Sequence, residues 1–75
     1  MIEETVIDIL AKQFGKEVSD IKLEMSIADD LAADSLDLME IIMQLESKFK
    51  VIIEDDEYNN SFTVKQIIDL INSKK

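Results

Sequence analysis

Apolar positions recur along the chain in three groups with helical spacing, separated by two stretches that hold no lasting period. Ile2, Val6, Ile9, Leu10 and Phe14 fall on one stripe of a helix. Glu3 and Glu4 sit at its start and Lys12 near its end, the order that suits the helix dipole. Gly15 follows as a residue free to take positive φ, so the spacing predicts a first helix over residues 2–14. Leu38, Ile41, Ile42, Leu45 and Phe49 form a second core stripe, on a helix that begins near Ser35. Asp34 is a good N-cap for it, Asp37 completes an acidic capping box, and Lys48 and Lys50 close its end. Thr63 caps the last helix, whose apolar set is Val64, Ile67, Ile68 and Ile71, with Lys74 and Lys75 after it.

Residues 16–34 carry only scattered apolar anchors: Val18, Ile21, Leu23, Ile27 and Leu31. They read as a long ordered loop with a helical turn around 19–21. A loop beyond about 12–15 residues in a compact domain is usually functional or disordered, and the regular anchors favour the former. The acid run Glu54-Asp55-Asp56-Glu57 can start a short helix through Tyr58, although its polarity suits a loop equally well. Three main helices joined by long ordered loops make a small all-α bundle, one domain over residues 1–75.

Composition narrows what such a bundle can do. The chain has 75 residues, no Cys, no His, no Arg, no Pro and one Gly. Disulfides and thiolate metal sites are therefore excluded, and the usual general base near neutral pH is missing. These absences argue against a self-sufficient enzyme. The formal charge of −9 is concentrated in the middle of the chain. Residues 29–57 hold ten acids and two lysines, net −8, whereas residues 58–75 hold one acid and three lysines, net +2. Such a chain is repelled by nucleic acid and by anionic membrane surfaces, so its expected partners are proteins with basic patches. No apolar run approaches the roughly 20 residues of a membrane span. The amino terminus has no basic leader character, and the expectation is a cytoplasmic, monomeric protein.

The central helix has more apolar residues than one buried stripe needs. Leu36, Met39 and Met43 lie at i, i+3 and i+7, turned away from the core stripe and interleaved with Asp37, Glu40 and Glu46. Burying both faces would trap those carboxylates at a cost of several kcal/mol, so an exposed Leu-Met-Met strip rimmed by acids is the better account. Ser35 stands at the start of that helix, where free N–H groups and the dipole favour an anionic group. Taken alone it reads as a capping serine. It fails as a nucleophile, because no His and no neighbouring Lys is available to take its proton.

The string around Ser35 says more. Residues 30–37 read Asp-Leu-Ala-Ala-Asp-Ser-Leu-Asp, which resembles the attachment motif of acyl carrier proteins, Asp-Leu-Gly-Ala-Asp-Ser-Leu-Asp, at seven of eight positions. The resemblance extends along the chain, from Phe14-Gly15 through the helix Ser35–Phe49 to the acid cluster and the Thr-Val opening of the last helix. It implies a four-helix bundle, three main helices plus a short one over 54–60. It also implies that Ser35 receives 4′-phosphopantetheine from coenzyme A, added by a phosphopantetheinyl transferase that needs a divalent cation. The thiol of that arm would carry acyl groups as thioesters, which makes sense of a carrier without Cys. Asp34, Leu36, Asp37, Met39, Glu40, Met43 and Glu46 match the helix that meets synthases, reductases, dehydratases and transferases. Ile27, Leu45, Ile53 and Ile68 are the candidates for sheltering an acyl chain.

This sequence departs from the family pattern in places. Ala32 stands where Gly is usual, Glu54 replaces a frequent Pro, and Ser61-Phe62 shift an apolar anchor by one position. An EF-hand loop starting at Asp55 fails, with Asn60 where Gly is required and Gln66 where Glu is required. No metal site is expected. Within the resemblance, the Asp-Ser-Leu-Asp string favours a carrier of dissociated fatty acid synthesis over polyketide, D-alanyl or peptide carriers, the last typically having Gly-Gly-His-Ser. A plain acidic interaction module, with Ser35 only a cap, is the alternative of a different class.

Overall fold

Helix α1 spans Ile2–Phe14, α2 spans Ser35–Phe49 and α3 spans Val64–Lys74. The computed structural model describes residues 2–58 and 62–75. Each helix begins and ends close to where the sequence pattern predicts. Gly15 takes φ 64° and stops α1, and the Lys16 amide reaches back to the Ala11 carbonyl at 2.9 Å. At the other end of the chain Thr63 Oγ1 accepts from the Gln66 amide at 3.2 Å, while Gln66 Oε1 accepts from the Thr63 amide at 2.8 Å. That reciprocal pair is a capping box whose Gln half the residue pattern alone did not single out.

The connections are ordered but differ from the expectation in detail. The turn near 19–21 is a 3₁₀ turn over Val18–Asp20. The acid run forms a second 3₁₀ turn, Asp55–Glu57, in place of a short α-helix. The Glu57 carboxylate accepts from the Glu54 amide at 2.8 Å and closes the turn on itself, and Tyr58 is already extended at φ −141°. The rest of the 54–60 helix, and the Ser61 half of the shifted anchor, lie outside the described residues. Among the described residues the bundle thus has three α-helices and no strand; the backbone makes one isolated antiparallel bridge, Ser26 with Thr63.

That bridge belongs to a clasp. Ile27 N donates to Phe62 O at 2.9 Å, Val64 N to Met25 O at 3.0 Å and Lys65 N to Leu23 O at 2.9 Å. The long loop is thereby pinned to the start of α3. Helix α1 packs against both α2 and α3, and the buried faces of all three helices share one core.

The core is aliphatic throughout. Val6, Ile9, Leu10 and Ala11 of α1 meet Leu38, Ile41, Ile42 and Leu45 of α2 and Val64, Ile67, Ile68 and Ile71 of α3. Ile21, Ile27, Leu31, Ala33 and Ile53 fill in from the connections. Full burial of each large member contributes roughly 1.5–3 kcal/mol. No polar or charged side chain is buried among the described residues. Five expected anchors fall short of full burial, of which Ile2, Phe14 and Leu23 are half-buried against the core. Val18 is exposed, because the 3₁₀ turn directs Ile21 inward instead. Phe49 is only half-buried, its ring lying at the bundle's edge with Lys75 Nζ 6.0 Å above it. Glu57 and Lys74 pair at 2.7 Å across two segments, and the hydrogen bond from Lys74 holds the Glu57 carboxyl below its ordinary pKa.

Two non-glycine residues sit in the left-handed region. Lys50, at φ 57°, caps α2, its amide donating to Glu46 O. Ala32, also at φ 57°, occupies the position where the motif usually has Gly. Its Cβ crowds the neighbouring carbonyl there, at a cost of about 1 kcal/mol. Ala32→Gly should therefore raise stability by about 1 kcal/mol, read as a higher urea midpoint at unchanged slope. A lower midpoint would mean the loop gains more from the methyl group than it loses to strain.

Candidate functional site

The turn that opens α2 is built from three acids and a serine. Ser26 anchors the approach: its amide donates to Asp30 Oδ2 at 2.7 Å, and its hydroxyl oxygen accepts from the Asp29 amide at 3.1 Å. Ala33 N then donates to Ile27 O at 3.0 Å, tying the last loop residues to the clasp. Asp34 follows in extended geometry as the N-cap. Its Oδ1 accepts from the Asp37 amide at 2.9 Å, and Asp37 Oδ2 accepts from the Asp34 amide at 3.3 Å.

This settles the role of Ser35 as a residue of the fold. The cap is Asp34; Ser35 is the first helical residue, exposed, and its hydroxyl makes no hydrogen bond among the described residues. A free hydroxyl at the positive end of a fifteen-residue helix is well placed to carry an anionic substituent. Asp34 and Asp37 oppose such a group electrostatically, but both are committed to the capping box, their carboxylates turned to each other's amides.

The strip predicted beside it is present. Leu36 is 70% exposed, Met39 53% and Met43 63%, all on the side of α2 away from the core. Asp34 and Glu40 are exposed, and Asp37 and Glu46 half-buried. Glu46 has a second duty, since its Oε2 accepts from the Ile53 amide at 2.9 Å and ties the segment after α2 to the helix. Ile52, unforeseen in the sequence reading, is 73% exposed. The alternation in Val51-Ile52-Ile53 was the available signal, since an extended segment that buries Ile53 must turn Ile52 outward.

The four acyl-shelter candidates come from four different segments: Ile27 from the long loop, Leu45 from α2, Ile53 from the connection after it and Ile68 from α3. All are buried in the single core cluster. An open groove of about 560 Å³ lies elsewhere, between α1 and α2, bounded by Ile9, Lys12, Met43, Gln44 and Lys48, and none of the four lines it. Among the described residues no group of three or more acids converges as a metal site, and no helix is long and apolar enough to cross a membrane.

The family model described as "Phosphopantetheine attachment site" matches residues 4–71. The chain belongs to this family. It is 43% identical over 75 residues to an acyl carrier protein of Exiguobacterium sibiricum, covering 96% of this chain and 95% of that protein. An acyl carrier protein of another Exiguobacterium is 41% identical with the same coverage. The solved acyl carrier protein from Enterococcus faecalis superposes with a TM-score of 0.83 at 31% identity, over 99% of this chain and 94% of that one.

A phosphopantetheine attachment domain needs an accessible hydroxyl whose neighbours tolerate a phosphodiester. The free hydroxyl of Ser35 at the helix start fits that need, and the chain supplies no thiol of its own to compete. Cap and serine can be separated by mutation. Asp34→Ala should cost about 1 kcal/mol of stability through loss of the cap. Ser35→Ala should change stability by less than about 0.5 kcal/mol in the same urea titration. Equal losses would return Ser35 to a capping role.

Proposed function

We propose that this protein carries acyl chains as thioesters on a 4′-phosphopantetheine arm attached to Ser35, and delivers them to the enzymes of fatty acid synthesis. One observation carries the assignment: the serine of the attachment motif is not the helix cap, so its exposed hydroxyl is available to a transferase. In loading, a bond would form between Ser35 Oγ and the pantetheine-side phosphorus of the coenzyme A diphosphate as that phosphorus gives up its bridging P–O bond; adenosine 3′,5′-bisphosphate leaves, and the serine proton passes to the transferase. The arm, once attached, supplies the thiol that this Cys-free chain lacks. The chain's own residues present it. The Asp34–Asp37 box holds the helix start still, and Leu36, Met39 and Met43 offer soft apolar contacts framed by Glu40 and its acidic neighbours.

Incubation with a phosphopantetheinyl transferase, magnesium and coenzyme A should add one phosphopantetheine to the intact mass of the parent and none to Ser35→Ala. A parent left unmodified by several transferases would leave an acidic interaction module instead. Partners with basic patches should bind through the acidic face quickly and weakly, with affinity falling as salt rises. Affinity independent of salt would remove electrostatic steering from the account.

For the cargo, the seam between α2 and α3 is the favoured shelter. Leu45 of α2 and Ile68 of α3 belong to one buried cluster with Ile27 and Ile53, and all four are aliphatic. A chain admitted there gains roughly 0.8 kcal/mol per buried methylene. The octanoyl-loaded protein should therefore melt at a higher temperature than the same protein bearing the bare arm. Identical melting would put the chain in solvent.

A further inference from the structure

One side chain outside the motif is wired into the turn that carries Ser35. Gln13, the penultimate residue of α1, donates through Nε2 to Asp37 Oδ1 at 3.3 Å and to Glu40 Oε1 at 2.7 Å. A primary amide has two N–H groups, and each is given to one carboxylate of α2. Gln44 Nε2 donates to Gln13 Oε1 at 3.0 Å, which fixes the amide's orientation, because the flipped form would aim its oxygen at two anions. Asp37 and Glu40 are like charges three residues apart on one helix and would otherwise splay.

The chain of contacts continues to the serine. Asp37 uses Oδ1 for Gln13 and Oδ2 for the Asp34 amide, while its own amide is held by Asp34 Oδ1. Both oxygens of Asp37 are therefore occupied, one by α1 and one by the cap. Ser35 is bonded in sequence between these two partners. Its direction is set by the cap, and the cap is steadied from α1 by a residue with no place in the Asp-Ser-Leu-Asp string.

Resting on the reading of Ser35 as the attachment point, we propose that Gln13 is a positioning residue for loading: it holds Asp37, and through it the N-cap turn, so that the Ser35 hydroxyl meets the transferase in one orientation. Gln13 does not touch the reacting atoms. Its effect belongs in the turnover step and not in docking.

The test uses the full chain with Gln13→Met, which keeps length and helix propensity but removes every hydrogen bond, and Gln13→Glu, which keeps the shape but replaces both donors with a third carboxylate. Loading by a phosphopantetheinyl transferase with coenzyme A and magnesium is followed by intact mass, and amide hydrogen exchange is followed at Asp34. Both variants should melt well above the assay temperature, lose roughly tenfold in kcat with KM unchanged, and exchange the Asp34 amide faster. Unchanged kcat, or a loss confined to KM, would overturn the inference; the latter would make Gln13 a contact for the transferase. Unchanged Asp34 exchange would overturn it on its own, and that reading needs no loading. A parent that is never loaded is instead a failure of the assignment of Ser35, and the exchange result then still decides whether Gln13 steadies the turn.

Discussion

The exchange of hydrogen bonds between Asp34 and Asp37 is the contact on which the working half of the molecule depends. It sets the residue at which α2 begins. A start one position later would make Ser35 the cap and spend its hydroxyl on a backbone amide. The rotation of α2 is fixed separately, by Leu38, Ile41, Ile42 and Leu45 packing into the core. Two short carboxylates thus decide that the serine is free, while the buried stripe decides that the soft apolar strip faces solvent.

Charge and packing divide the labour cleanly. Among the described residues no charged or polar side chain lies in the interior, so the carboxylates are all available to the surface field. Asp8 and Asp69 pair with lysines one turn away on their own helices, and others act at joints: Asp30 at the loop's own start, Glu46 to Ile53, Glu57 to Lys74, and Asp37 to α1 and the cap of α2 at once. A surface of net charge −9 resists compaction by self-repulsion, and these contacts place anions where a donor waits for them.

What could be read from the sequence was local. The three helices, Gly15 as a stop, the Asp34 cap and the outward strip on α2 all follow from spacing within a few residues, and the structure has them. The exposure of Val18 is not legible, because a turn of three residues has too little period to say which side faces in. The charge of Lys50 is legible as a helix-closing signal, but its left-handed φ is not, since lysine has no preference for that region. The acid run gave no basis for choosing between helix and turn, and the Glu57–Glu54 closure decided it. Gln13 and the clasp between residues 23–27 and 62–65 join positions far apart in the chain. Such pairings leave no trace in a periodicity.

An interior made only of aliphatic side chains has a consequence for how it responds to a guest. Hydrogen bonds are directional, and a core that contains them has a preferred arrangement to which it must return. Here the buried set from Val6 to Ile71 is held by dispersion and exclusion of water, which have no direction. Such an interior is a small volume of close-packed hydrocarbon enclosed by the three helices and their connections. Any group admitted to such an interior would meet only methyl and methylene surface, so its gain would scale with the area it buries and not with any one directed contact.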